Sequence, residues 1–196
     1  MSRFVAARLL AATALVVSPL LVEAGPVHAA PVATKHAVRP TVPTKEQWLA
    51  DVHTAMKGAR AYVKHRAASG DAQLAINFDI DNTVLATYYG GGAIEEMLKF
   101  AGMAQRHGVA ILFNTGRVAT QHDSTVAQLT SNGYPVTDVC LRAKGETLPH
   151  GKQRCRDQFI DAGWTLIANV GNRPTDFAGD GYERAFKLPD YGGVLG

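Results

Sequence analysis

Apolar and polar positions along the chain fall into blocks that change period. Trp48, Val52, Ala55, Ala59 and Tyr62 recur at helical spacing. They predict one amphipathic helix, from a capping box at Thr44-Lys45-Glu46-Gln47 to Gly70-Asp71. The short apolar run 74–78 predicts a strand, which stops at Asp79-Ile80-Asp81. Residues 93–107 predict a helix stopped by Gly108, and 109–113 a second strand ending at Asn114-Thr115-Gly116-Arg117. A helix over 118–131, a strand over 135–140 and a helix over 152–162 follow. The fourth strand, 164–170, ends at Gly171-Asn172; a helix over 174–182 and a short strand over 185–188 complete the series. Strands alternating with helices predict an open, mostly parallel, Rossmann-like α/β sheet flanked by helices. Ligands of such sheets sit beyond the carboxyl ends of the strands. The unusual polar residues fall there: Asp79 and Asp81 after the first strand, Thr115 after the second, Asn172 and Asp176 after the fourth. Lys152 starts the helix that precedes the fourth strand.

The first residues change the picture of what folds. Arg3 and Arg8 precede an apolar stretch over 9–22, broken by Thr13, Ser18 and Pro19, and Val27-His28-Ala29 then offers a small-x-small cleavage site. The stretch is shorter than the ~20 residues of a spanning helix. A secretory signal peptide over 1–29 is therefore expected, with cleavage after Ala29 (or Ala30), giving a secreted protein without a stable membrane anchor. Pro31, Pro40 and Pro43 mark a flexible leader over 30–43, and one domain is expected over 44–196. Losing Arg3, Arg8 and Glu23 takes the formal charge from +3 to +2. With no Lys/Arg run there is no nucleic-acid footprint. Export permits a disulfide between the two cysteines, Cys140 and Cys155, worth ~3 kcal/mol if their Cα atoms come close enough. Two cysteines are too few for a zinc site.

Two carboxylates at i and i+2, directly after an apolar strand, leave the sheet side by side. Like charges that close are costly unless a cation compensates, and oxygen ligands suit a hard ion such as Mg²⁺. One carboxylate can then attack phosphorus, while the other protonates the leaving oxygen and activates water. Asp-x-Asp alone equally describes a surface turn with two solvated aspartates; its companions decide.

Phe78-Asp79-Ile80-Asp81-Asn82-Thr83-Val84 resembles the first motif of the haloacid dehalogenase superfamily, and Phe113-Asn114-Thr115-Gly116-Arg117 resembles its second. Lys152 to Arg156, followed by Gly163-Trp164 and Asn169-Val170-Gly171, is similar to the third-motif region of the class B-like and plant-type acid phosphatases. Gly171-Asn172-Arg173-Pro174-Thr175-Asp176 stands where the acidic fourth motif belongs. The resemblance implies a magnesium-dependent phosphatase of small phosphate monoesters. In it Asp79 is the nucleophile and, with the Asp81 carbonyl, a metal ligand, and the Asp81 side chain is general acid and base. Thr115, with Gly116 and Arg117, binds the phosphoryl group, and Lys152 neutralises charge on it, with Lys144 a weaker candidate. Asn172 and Asp176 complete the metal site. Asn172 departs from the family's Gly-Asp, which implies weaker Mg²⁺ binding; a similar Gly-Asn-Arg-Pro-x-Asp string in lipin-type phosphatidate phosphatases opens a lipid substrate as an alternative. A non-catalytic binding or storage protein on the same scaffold is the other alternative. Only residues 82–108 separate Asp81 from the second strand, leaving no room for a large cap. Tyr88-Tyr89-Gly90-Gly91-Gly92 is expected to be either a short flap over the site or a turn whose tyrosines pack on the core.

Overall fold

The computed structural model describes residues 41–71 and 73–195, so the expected signal peptide (1–29) and most of the expected leader lie outside the described residues. The Thr44 hydroxyl accepts the Gln47 amide at 3.2 Å and caps α1 (Lys45–Ala55). The single helix expected from here to residue 70 is in fact two. Gly58, at φ +84°, turns the chain in a conformation that other residues adopt only with strain, and α2 (Ala59–Ala67) begins after it. Helical spacing survives the break because Trp48 and Val52 on α1 and Ala59 and Val63 on α2 bury into one core.

Every residue of β1 (Leu74–Phe78) is buried, as its near-continuous apolar run dictates. The chain continues through α3 (Glu95–Arg106), β2 (Ala110–Val118), α4 (His122–Ser131), β3 (Asp138–Arg142), α5 (Leu148–Asp161), β4 (Thr165–Gly171) and β5 (Ala185–Lys187). The five strands are parallel, in the order β3-β2-β1-β4-β5, which is the expected Rossmann-like sheet. Phe78 aligns with Phe113 on one side and Val170 on the other, so β1 is flanked by β2 and β4 at a common level.

Strand order reverses at β1, and the reversal sets the positions of the helices. One face of the sheet packs Ile76, Phe78, Ile111 and Phe113 against Trp48, Phe100 and Leu129 of the helices that precede β3. α5 must carry the chain from β3 back across the sheet to β4, and it packs on the opposite face, with Cys155 and Phe159 against Ala75, Leu112 and Leu166. The disulfide permitted by the sequence is formed: Cys140 of β3 is bonded to Cys155 of α5, with Cα atoms 5.6 Å apart. The crevice beside such a reversal, at the strands' carboxyl ends, is where open α/β sheets bind ligands.

Two further expectations change. β2 runs on to Val118, so the following helix starts at His122 rather than at 118. The helix expected over 174–182 is only a 3₁₀ turn, Pro174–Phe177. Fully buried Arg156 donates to the carbonyls of Asp176, Ala178 and Asp180, drawing them away from any helical partner. Of the two readings of the tyrosine-glycine loop, the turn is formed, but only Tyr89 packs: it stacks on Trp48 with centroids 5.0 Å apart and donates its hydroxyl to the Pro43 carbonyl, while Tyr88 is exposed. Among the described residues, no helix is long and apolar enough to cross a membrane.

Candidate active site

Asp79 leaves the sheet directly after β1, its amide still held by the Val170 carbonyl of β4 at 2.8 Å. The side chain is 7 % exposed and both its oxygens are fixed. Oδ1 accepts from Lys152 Nζ at 2.6 Å and Oδ2 from the Thr83 hydroxyl at 2.8 Å. Lys152 Nζ also donates to the Asn114 carbonyl and lies 2.8 Å from Asp176 Oδ1. One buried cation thus stands between two buried carboxylates, and the cluster carries one net negative charge. Burial, and then the charge of Asp176, push the Asp79 carboxyl up to about 6 against the opposing pull of Lys152. Burial alone would lower the Lys152 ammonium; the two carboxylates and their hydrogen bonds outweigh it and raise it above its ordinary value.

Lys152 does not start its helix as expected. α5 begins at Leu148, so Lys152 sits in the second turn, and it is Asp79 and Asp176 that compensate its charge rather than its place at a helix terminus. Lys144, the weaker candidate, is exposed on the turn after β3.

Asp81 is paired with Arg117 in a bidentate fork, Nη2 to Oδ1 at 2.7 Å and Nε to Oδ2 at 3.0 Å. The remaining Arg117 nitrogen donates to Gln128 Oε1 at 2.7 Å. The guanidinium expected to bind phosphate is thus engaged within the protein, where it anchors Asp81. Asn82, between the second aspartate and Thr83, adopts φ +57° and is buried. It donates to the Leu195 carbonyl at 2.5 Å and accepts from the Tyr88 amide at 2.8 Å, stapling the motif to two distant segments.

These groups face a cavity of about 310 Å³. Asp79, Asp81, Lys152, Asn172 and Asp176 line it, with Gly116 and Leu148 on the β2 side and Arg173 and Thr175 on the β4 side. Gly116 is a close approach: a Cβ there would come within 2.7 Å of Leu148 Cδ2. Thr115 is buried and is not among the residues lining the cavity; its Oγ1 accepts the Arg117 amide at 3.2 Å, leaving its proton free to donate. Another hollow, of about 330 Å³, lies against Leu49, Ile94 and Glu96 and contains none of these residues.

The residues present fit a hard cation. Asn172 Oδ1 is buried on the cavity wall and, among the described residues, has no hydrogen-bond partner. Leaving such an acceptor unpaired costs ~1–3 kcal/mol. A cation beside the Asp79 carboxylate would satisfy it with the oxygen chemistry that Mg²⁺ prefers. Asp176, the other expected ligand, already has partners. Its Oδ1 meets Lys152 and its Oδ2 accepts the Arg173 amide at 2.9 Å, and its side chain packs so closely over Gly171 that a Cβ there would lie 2.5 Å away. Asp176 thereby fixes the loop and the lysine. Among the described residues, no three His, Cys, Asp or Glu side chains are grouped to hold an ion.

No local pattern signals Asn114 as a clamp on Lys152, the Asn82 staple, or Arg156 as the post of the 174–182 loop. Thr83 stands within the motif, but its bond to Asp79 emerges only from the turn that folds it back.

Comparison with known proteins agrees with this geometry. Residues 90–194 match the family described as the HAD superfamily, subfamily IIIB (acid phosphatase). The match takes in Thr115, Lys152, Asn172 and Asp176 but begins after Asp79 and Asp81. No curated protein is significantly similar in sequence. Two solved structures of the class C acid phosphatase from Bacillus anthracis share the fold, one of them with tungstate bound. Their TM-scores are 0.61 and 0.60 at 17 % identity, each covering 74 % of this chain and 79 % of the other.

Proposed function

This chain belongs to the haloacid dehalogenase superfamily, subfamily IIIB, the acid phosphatases, and we propose that it hydrolyses its substrates in two steps through a phosphoryl group carried by Asp79. It is a phosphoric monoester hydrolase, its substrates are small phosphate monoesters, and phosphatases of this superfamily use a divalent metal. The observation that carries the two-step reading is the fixing of Asp79. Both its oxygens are held by Lys152 and Thr83 at the wall of an open cavity, beside a second carboxylate.

Asp79 attacks phosphorus, and the bond from phosphorus to the leaving oxygen breaks. Protonated Asp81 passes its proton to that oxygen, then takes one from the water that attacks the aspartyl-phosphate, which frees phosphate and restores Asp79. The Arg117 fork positions Asp81 by one bond to each oxygen, and each oxygen keeps a second lone pair that can carry the proton. Lys152 offsets charge gathering on Asp79 and the phosphoryl oxygens, and the free Thr115 proton can bond one of them. Magnesium, held by Asp79, the Asp81 carbonyl and Asn172, would supply the positive charge that lets a phosphate dianion approach a carboxylate.

Export belongs to the same proposal. The 1–29 pattern supports it, as does the Cys140–Cys155 bridge, a bond typical of oxidising compartments. The test is phosphate release from an aryl phosphate by the mature chain, with and without Mg²⁺, beside Asp79→Asn. Magnesium-dependent release that Asp79→Asn abolishes is expected; turnover surviving in that variant would exclude Asp79 as nucleophile.

A further inference from the structure

Five charged residues line the cavity, and four of them are already paired within the protein. Asp79 and Asp176 share Lys152, and Asp81 holds Arg117. The fifth is Arg173. Its amide donates to Asp176, but among the described residues its guanidinium has no ion pair and no hydrogen bond, although it lies half-buried on the wall. Thr175 follows it on the same wall and likewise keeps its hydroxyl unengaged among the described residues. Strand order places this pair on the β4 side of Asp79 and the apolar Leu148 with Gly116 on the β2 side. A planar guanidinium that nothing neutralises, beside a free hydroxyl, is suited to a carboxylate or phosphate bound through two parallel hydrogen bonds.

Resting on the phosphatase reading above, we infer that Arg173, with Thr175, selects phosphate monoesters whose leaving alcohol carries a second anionic group. The phosphoryl group to be transferred is served by Asp79, Lys152 and Thr115, none of which needs Arg173. The anion on the leaving group is met by the one cation of the wall that is not already balanced. A plain alkyl or aryl phosphate fills the first position only.

The experiment compares four phosphates on one scaffold: phenyl phosphate, 3-carboxyphenyl phosphate, 1,3-phenylene bisphosphate and 3-(trimethylammonio)phenyl phosphate. Wild type should favour the carboxylate or the bisphosphate over phenyl phosphate by about tenfold in kcat/KM, chiefly through KM, as one charged hydrogen-bonded contact allows. The carboxylate and bisphosphate arms separate the two sources of the anion. Arg173→Ala should collapse that ratio towards one, Arg173→Lys should keep part of it, and Arg173→Glu should turn preference towards the cationic ester. Equal losses on all four substrates in Arg173→Ala would overturn the inference, because Arg173 would then serve the transferred phosphoryl group. A wild type that hydrolyses phenyl phosphate without preferring the anionic esters would overturn it too, while leaving the phosphatase reading intact. Failure of wild type on all four would remove both.

Discussion

Replacing Asp79 by asparagine should abolish turnover and, in the same protein, stabilise the fold at neutral pH. The Asp79 carboxylate is almost wholly buried and shares Lys152 with Asp176, so the cluster of three holds more negative charge than positive. Burial first and Asp176 second raise its pKa from 3.8 to about 6, although Lys152 and Thr83 pull the other way. A folded value above the unfolded one means the unfolded chain releases this proton more readily. Stability contributed at this site is therefore lost as pH rises from the unfolded towards the folded value. Above that window the cost is at most ~3 kcal/mol, from ~1.4 kcal/mol per pH unit. Asparagine keeps the shape, can still accept from Lys152, and carries no charge. Urea denaturation in EDTA should show Asp79→Asn more stable than wild type by ~1–3 kcal/mol near pH 7.5, and the gap should close as the pH falls towards ~4. Magnesium should narrow the gap at neutral pH by stabilising only the wild type. An Asp79→Asn protein less stable than wild type near neutral pH would refute the reasoning, since the pull of Lys152 would then outweigh desolvation.

Lys152→Met should eliminate activity and, by leaving two buried carboxylates without their cation, destabilise the fold by ~3–5 kcal/mol in urea melts. Reducing the Cys140–Cys155 bridge, or replacing both cysteines by serine, should cost ~3 kcal/mol of stability, read as a lower denaturation midpoint with an active enzyme at low temperature. Arg117→Lys, which cannot reproduce the bidentate fork, should lower kcat by about tenfold or more and alter the pH profile of kcat, with KM little changed; an unchanged profile would separate Arg117 from the acid-base step. Asn82→Ala loses two hydrogen bonds and strains φ +57°, whereas Asn82→Gly loses only the bonds, so thermal melts should place the glycine variant above the alanine variant by ~1 kcal/mol. The reverse order would show that backbone strain does not matter at this position.

Much of the fold was legible because period and burial are local. The run 74–78 has no polar break until Asn77, and it became β1 with those limits. The polar groups expected at strand ends do meet there, since a parallel sheet brings its carboxyl ends to one rim whatever the details of the loops. Gly58 split the first helix locally, but at the site distant side chains decided. Arg156 converts the segment after β4 from the expected helix into a 3₁₀ turn by taking its carbonyls, and Asp81 pairs with an Arg117 guanidinium whose partner no local pattern announces.

The sequence by itself determined the α/β class and pointed to the first-motif aspartates and to Lys152, because strand period and motif spacing are written in consecutive residues. Only the tertiary structure decided which charges are neutralised and which remain. Lys152 on α5, Asp79 after β1 and Asp176 after β4 are far apart along the chain, and they meet because α5 has to cross the sheet to reach the far side of β1. Arg173, on the same cavity wall, has no side-chain partner among the described residues, and no sequence pattern could say so, since charge pairing depends on distance in space and a sequence states only distance along the chain.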